Sequence, residues 1–131
     1  MPNWFRDLVG IWRATPEILR AQRLFAQARN LRREGRVVEG FRTAIEAFGI
    51  LRADAHLENP AAQSLVATET VLVDELARQL GHPGAARDDL AVALKICEDV
   101  SSAVPRIQPQ LKQYIDWYRH RLAELNPDVV H

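Results

Sequence analysis

Asp116 and His120 stand four residues apart in a stretch with helical periodicity, so both fall on one face. A carboxylate and an imidazole placed this way could offer two ligands to a metal. A protein zinc site takes three or four, and the same pair reads more simply as a solvated ion pair on a helix surface. His56 and His82 fall in or near turns, and His131 is terminal. The one cysteine, Cys97, follows Leu94 by three residues on an apolar helical side, where a small buried hydrophobe fits. An activated thiolate would need a base and a positive setting, and neither is visible around it. Asp88-Asp89 and Asp74-Glu75 read as exposed polar edges. The chain carries no phosphate-binding glycine loop, no CxxC and no nucleophile motif. It is expected not to be an enzyme, with no catalytic residue, cofactor or metal.

A chain of 131 residues, 47% of them hydrophobic, is one domain with enough material for one core. One cysteine excludes an intrachain disulfide. Arg6, Asp7 and Arg13 interrupt the N-terminal apolar residues, so no secretory signal is read there. No stretch approaches the ~20 apolar residues of a membrane span. The expected location is a reducing cytoplasm. Basic residues are 15 Arg against 2 Lys, a bias typical of a GC-rich bacterial genome. Net charge is zero but uneven, at +4 over residues 1–56 and −4 over 57–131. Such a gradient can orient a partner or favour head-to-tail contact, and it also arises from ordinary solvated helix faces. A nucleic-acid face would need a wider basic surface and a net positive charge.

Six helices account for the periodicity, and no strand pattern occurs. The first covers about Asn3–Arg13. The second opens at Thr15-Pro16, a cap followed by a proline suited to the first helical position, and stops at Gly35. Its apolar stripe is Ala21, Leu24, Phe25, Ala28 and Leu31. The third runs from Val37 to about Ala55 with Val37, Phe41, Ala44, Ile45, Phe48 and Leu51 on one face. Asn59-Pro60 repeats the cap-plus-proline signal and opens the fourth, which ends at Gly81. Its stripe is Leu65, Val66, Leu72, Val73, Leu76 and Leu80. The fifth runs from Pro83 to about Ser101 on Ala86, Leu90, Ala93, Leu94, Cys97 and Val100. Pro105 and Pro109 precede the sixth, where Leu111, Ile115, Tyr118, Leu122 and Leu125 form a heptad-like stripe. Asn126-Pro127 ends it.

A pattern recurs across these helices. Gly35 is followed by Gly40, Ala44, Ala47 and Phe48; Gly81 is followed by Ala86, Leu90, Ala93 and Leu94. In the first helices, Leu24, Ala28 and Leu31 precede the first glycine, with Val73 and Leu76 before the second. This resembles the tetratricopeptide-repeat (TPR) family, built of helix pairs whose small and large residues interlock. The match covers about residues 17–103. The unit is longer than the family's 34 residues, and other residues fill the family's usual tryptophan and tyrosine positions. Ala28 and Leu31 match Val73 and Leu76 at a shift of 45, while the second helices match at 46. The turn Gly81-His82-Pro83-Gly84 is therefore expected to carry one extra residue. The resulting organisation is an amphipathic N-terminal helix (1–14), two TPR-like antiparallel hairpins (15–103), a C-terminal capping helix (104–126) and a loose tail (127–131). Two hairpins bury little alone, so the first and last helices, or a homodimer, are expected to finish the core.

The resemblance implies an all-α adaptor that binds another protein in the groove lined by the first helix of each hairpin. Gln22, Phe25, Arg29 and Arg33 would face that groove from one helix, and Thr68, Val71, Leu72 and Glu75 from the other. An apolar anchor with a basic flank suits an extended or helical peptide with acidic residues. Arg29, Arg32, Arg33 and Arg36 cluster where a helix C-terminus favours cations. A second contact surface is expected from Trp4, Phe5 and Trp12, which share a roughly 160° arc with Leu8, Val9 and Ile11, and from Tyr114 and Trp117. The alternative function is a structural subunit that self-assembles or docks into a larger complex through those aromatic helices. The first helix lacks the lysine and arginine wealth of a membrane-surface helix.

Overall fold

A computed structural model describes residues 15–53 and 59–125. The helix expected over Asn3–Arg13, Asp54 and Ala55 of the expected third helix and the tail lie outside the described residues; within them that helix ends at Arg52, where Ala53 turns to extended backbone. Among the described residues there are five α-helices: α1 (Pro16–Arg33), α2 (Val37–Arg52), α3 (Pro60–Gln79), α4 (Arg87–Ala103) and α5 (Gln108–Leu125). Short 3-10 turns at Pro83–Ala86 and Pro105–Ile107 lead into the last two. Consecutive helices pack as antiparallel pairs, and among the described residues there is no strand.

Both cap signals operate as read. Thr15 Oγ1 accepts the Ile18 N–H at 3.2 Å, and Asn59 Oδ1 accepts the Ala61 N–H at 2.8 Å. Each helix so opened also closes on a left-handed glycine, Gly35 at φ 80° and Gly81 at φ 77°. In the first closure the Arg36 N–H reaches Leu31 O at 2.9 Å and the Gly35 N–H reaches Arg32 O at 3.0 Å. In the second the His82 N–H reaches Ala77 O and the Gly81 N–H reaches Arg78 O, both at 3.0 Å. This double bond pattern satisfies carbonyls that the helix end would otherwise orphan. The two glycines stand 46 residues apart, as do Gly40 and Ala86, the first small residues that follow them. The extra residue expected in the Gly81–Gly84 turn is therefore not there. Counted back from the two closing glycines, Ala77 takes the place of Leu31 and Asp74 that of Ala28.

The apolar stripes face inward largely as their spacing requires. Phe25, Ala28, Ala44, Ala47, Phe48, Leu51, Leu65, Val66, Val73, Leu76, Leu90, Ala93, Cys97 and Leu111 are all buried. Gly40 marks a close approach of helices. A Cβ there would stand 3.3 Å from Ala28 O and 3.4 Å from Leu76 Cδ2, so α1, α2 and α3 converge on that point. The central helix is α3, buried on nearly every side, including Ser64, Thr70 and Asp74. Its small residues (Ala61, Ala62, Ala67, Ala77) let neighbours approach.

Side-chain links fix the direction of the helices around α3. Arg29 and Arg32 of α1 pair with Glu69 and Glu75 of α3 in ascending order. Tyr118 and Arg121 of α5 meet Ala67 and Asp74 of α3, also in ascending order. Helices α1, α3 and α5 therefore run the same way, in one layer. The end of α5 is held as well, because Arg87 at the start of α4 donates to the Leu125 carbonyl. Lys112, Gln113, Asp116, Arg119, His120 and Glu124 leave the side of α5 away from the core polar and exposed.

Candidate functional site

Most of the residues expected in the groove are engaged within the protein. Phe25 is 1% exposed and Leu72 7%, so both are core residues and neither can anchor a partner. The periodicity put them on the right helices, but the seam between α1 and α3 closes over them. Arg29 is bonded to Glu69 and Arg32 to Glu75, so both ion pairs bridge α1 and α3 across the expected groove. Arg33 bonds Asn30, one turn back on its own helix. Arg36 pairs with Glu39 and Glu34. Arg29, Arg32 and Arg36 of the basic flank are thus paired with the chain's own acids. Gln22 is half-buried, and Thr68 spends its hydroxyl on the Ser64 carbonyl at 2.9 Å.

Val71 has a different setting. It lines a cleft of about 260 Å³ with Gln113, Tyr114 and Trp117 of α5. One residue of the expected groove and two of the expected second surface therefore form a single site. Its other members Trp4, Phe5 and Trp12 lie outside the described residues. Gln113 carries no apolar signal in the sequence, yet it stands four residues before Trp117 on the same helix side. The Trp117 ring meets the buried Tyr118 ring edge-on, with centroids 5.3 Å apart and planes at 77°. Tyr118 donates its hydroxyl to Ala67 O, which holds the aromatic pair at a set height against α3. Burial raises the Tyr114 hydroxyl's pKa, and Cys97 and Glu69 nearby add to the effect. Burial also raises the pKa of Glu69, against the opposing pull of Arg29. The cleft is thus an apolar, aromatic recess beside a neutralised ion pair.

The acids read as polar edges are mostly not at edges. Asp74 is fully buried and takes the Arg121 Nε at 3.1 and 3.0 Å, with Arg78 Nε at 3.2 Å. Arg121 also reaches Glu124 at 2.8 Å. Asp89 is 8% exposed, with its nearest cation, Arg52, 3.9 Å away. Burial pushes its carboxyl up to about 6, with Arg52 opposing and Asp88 assisting. Glu75 is half-buried and ion-paired, and Asp88 alone is exposed.

Nothing in these groups converges as a catalytic site does. Burial raises the Cys97 thiol to about 12, the opposite of activation. Asp116 pairs with Lys112 at 2.9 Å and His120 with Glu124 at 2.8 Å, so the two do not turn toward a shared ligand. Among the described residues, no group of three or more His, Cys, Asp or Glu could hold a metal. No helix among them is long and apolar enough to cross a membrane. No family model matches the chain, and comparison with curated proteins and with solved structures returns no match.

Proposed function

We propose that this chain is a non-catalytic interaction module that holds a peptide or helix of another protein against the α1–α3–α5 layer. The observation that carries this reading is the meeting of Val71 with Tyr114 and Trp117 in one recess, since such aromatic recesses commonly anchor partner side chains. TPR-like hairpins, with α5 as a further first-type helix, fit both the parallel layer and the repeated caps. The partner's anchor is apolar. An acidic partner is no longer favoured, because Arg29 and Arg32 already hold Glu69 and Glu75. Self-assembly through α5 is the weaker reading, because its outer side is charged.

The test is affinity capture with the full chain, comparing it with Trp117→Ala and Val71→Asp. A specific partner should lose at least about tenfold in affinity, or ~1.4 kcal/mol, with either variant. A partner retained equally by all three chains places the docking surface elsewhere.

A further inference from the structure

The polar groups lining the recess between α3 and α5 select among the segments that fit it. The charges around it are spent: Arg29 and Arg32 pair with Glu69 and Glu75, Lys112 with Asp116, and Arg121 with Asp74 and Glu124. The Gln113 amide, the Tyr114 hydroxyl and the Trp117 Nε1–H differ, because among the described residues no hydrogen bond engages any of them. An indole offers a donor alone, a phenol a donor with an acceptor, and a primary amide two donors with its carbonyl, so the set is richer in donors. Its complement is an uncharged, apolar segment with free carbonyls. A helix meets this poorly, since its carbonyls are bonded within the helix except in the last turn. A polyproline II segment meets it well. It has no internal hydrogen bonds, and its prolines carry no N–H.

Size favours the same ligand. The recess holds about 260 Å³, below the ~300–1,000 Å³ of a small-molecule pocket. So small a contact leaves little free energy for ordering a flexible chain, whereas a proline-rich segment is extended before it binds. The wall is fixed as well, because Trp117 packs edge-on to Tyr118 and Tyr118 is bonded to Ala67 O. We infer that the recess binds a proline-rich segment in the polyproline II conformation. Its rings lie against Tyr114 and Trp117 over Val71, and its carbonyls accept from Trp117 Nε1, the Tyr114 hydroxyl and the Gln113 amide. This rests on reading the recess as the docking site, and it names the chemistry of the partner.

The probe is fluorescein-labelled decaproline, titrated into the full chain and followed by anisotropy, with a Gly-Ser decapeptide as the flexible control. Decaproline should bind at least about tenfold more tightly than the control. Trp117→Ala should weaken it at least about tenfold. Trp117→Phe, which keeps a ring and removes the Nε1–H, and Tyr114→Phe should each weaken it about two- to tenfold, as loss of one hydrogen bond does. These two milder variants decide the matter if Trp117→Ala loses its helical circular dichroism. Raising salt from about 0.05 to about 0.5 M should leave the affinity unchanged, as for an uncharged ligand. No binding of decaproline, equal binding of the control, indifference to the Trp117 and Tyr114 variants, or a steep fall with salt overturns the inference. Decaproline should also displace a partner captured by the full chain. A partner lost with Trp117→Ala yet untouched by decaproline keeps the recess as a docking site and overturns its preference for polyproline II.

Discussion

The hairpins α1/α2 and α3/α4 share a turn and differ in what they bury. Both first helices open on a capped proline and close on a left-handed glycine with the same pair of carbonyl bonds. Behind that common frame the first hairpin is apolar at its close approach, with Ala28 lying against Gly40. The second places Asp74 at the position of Ala28 and Ala86 at that of Gly40, and it puts Asp89 where the first has Thr43. A hairpin with a carboxylate in its interior is not self-sufficient. It requires Arg121 from α5, just as Tyr118 from α5 requires the Ala67 carbonyl. The first hairpin leans on α3 through ion pairs that are partly solvated. Equivalent backbone positions thus serve an apolar contact in one case and a buried carboxylate that draws on a further helix in the other.

The largest way to break this contrast is Arg121→Ala. It leaves Asp74 buried with only the half-exposed Arg78, and it should cost about 3–5 kcal/mol in urea unfolding. The double change Asp74→Leu, Arg121→Met should recover most of that loss, because apolar groups of similar size replace a buried pair at little net cost. Failure to recover it would show that the pair contributes more than mutual compensation.

A smaller effect, specific to the second hairpin, is set by pH. The Asp89 carboxyl is raised from 3.8 to about 6 in the folded protein. Between those values the unfolded chain has released the proton and the folded protein retains it, so stability falls as pH rises through this window. It is level below about 4 and above about 6, with a total contribution of about 2–3 kcal/mol. Asp89→Asn should flatten the curve and raise stability at pH 7 by up to that amount. Unchanged pH dependence in denaturant melts would assign the window to other groups.

The smallest effect probes what the hairpins share. Gly35→Ala and Gly81→Ala should each cost about 1–2 kcal/mol, since both force a Cβ into the left-handed region. Neither meets another atom within 4 Å, so the penalty is conformational and should be nearly equal at the two sites. A large difference in thermal unfolding would mean that the two caps are not equivalent.

Much of this architecture is legible along the chain because its causes are local. Thr15-Pro16, Asn59-Pro60, Gly35 and Gly81 act on backbone groups within a few residues of themselves, and each does what its chemistry requires. The second-helix pattern of Gly40, Ala44 and Ala47 against Ala86, Leu90 and Ala93 also survives intact, all six being buried. Aligning the first helices by hydrophobicity slips by one residue. It matches Ala28 to Val73 because an acid is not expected in a core slot. That slip hid Asp74, whose burial depends on an arginine 47 residues later.

The candidate site divides along the same line. The types of its residues were readable, since Val71, Tyr114 and Trp117 all stood out as surface-forming apolar side chains. Their meeting was not, because a helix stripe specifies a face and not the neighbour that covers it. The same limit placed Phe25 and Leu72 in a groove that the α1–α3 seam closes. By itself the sequence determined the helical character of the described residues, the caps of α1 and α3 and most of the inward faces, through hydrogen bonds and periodicity that act within one or two turns. Only the tertiary structure decided which faces join. That choice rests on side chains far apart in the chain: Arg29 and Arg32 on Glu69 and Glu75, Arg121 on Asp74, and Tyr118 on Ala67.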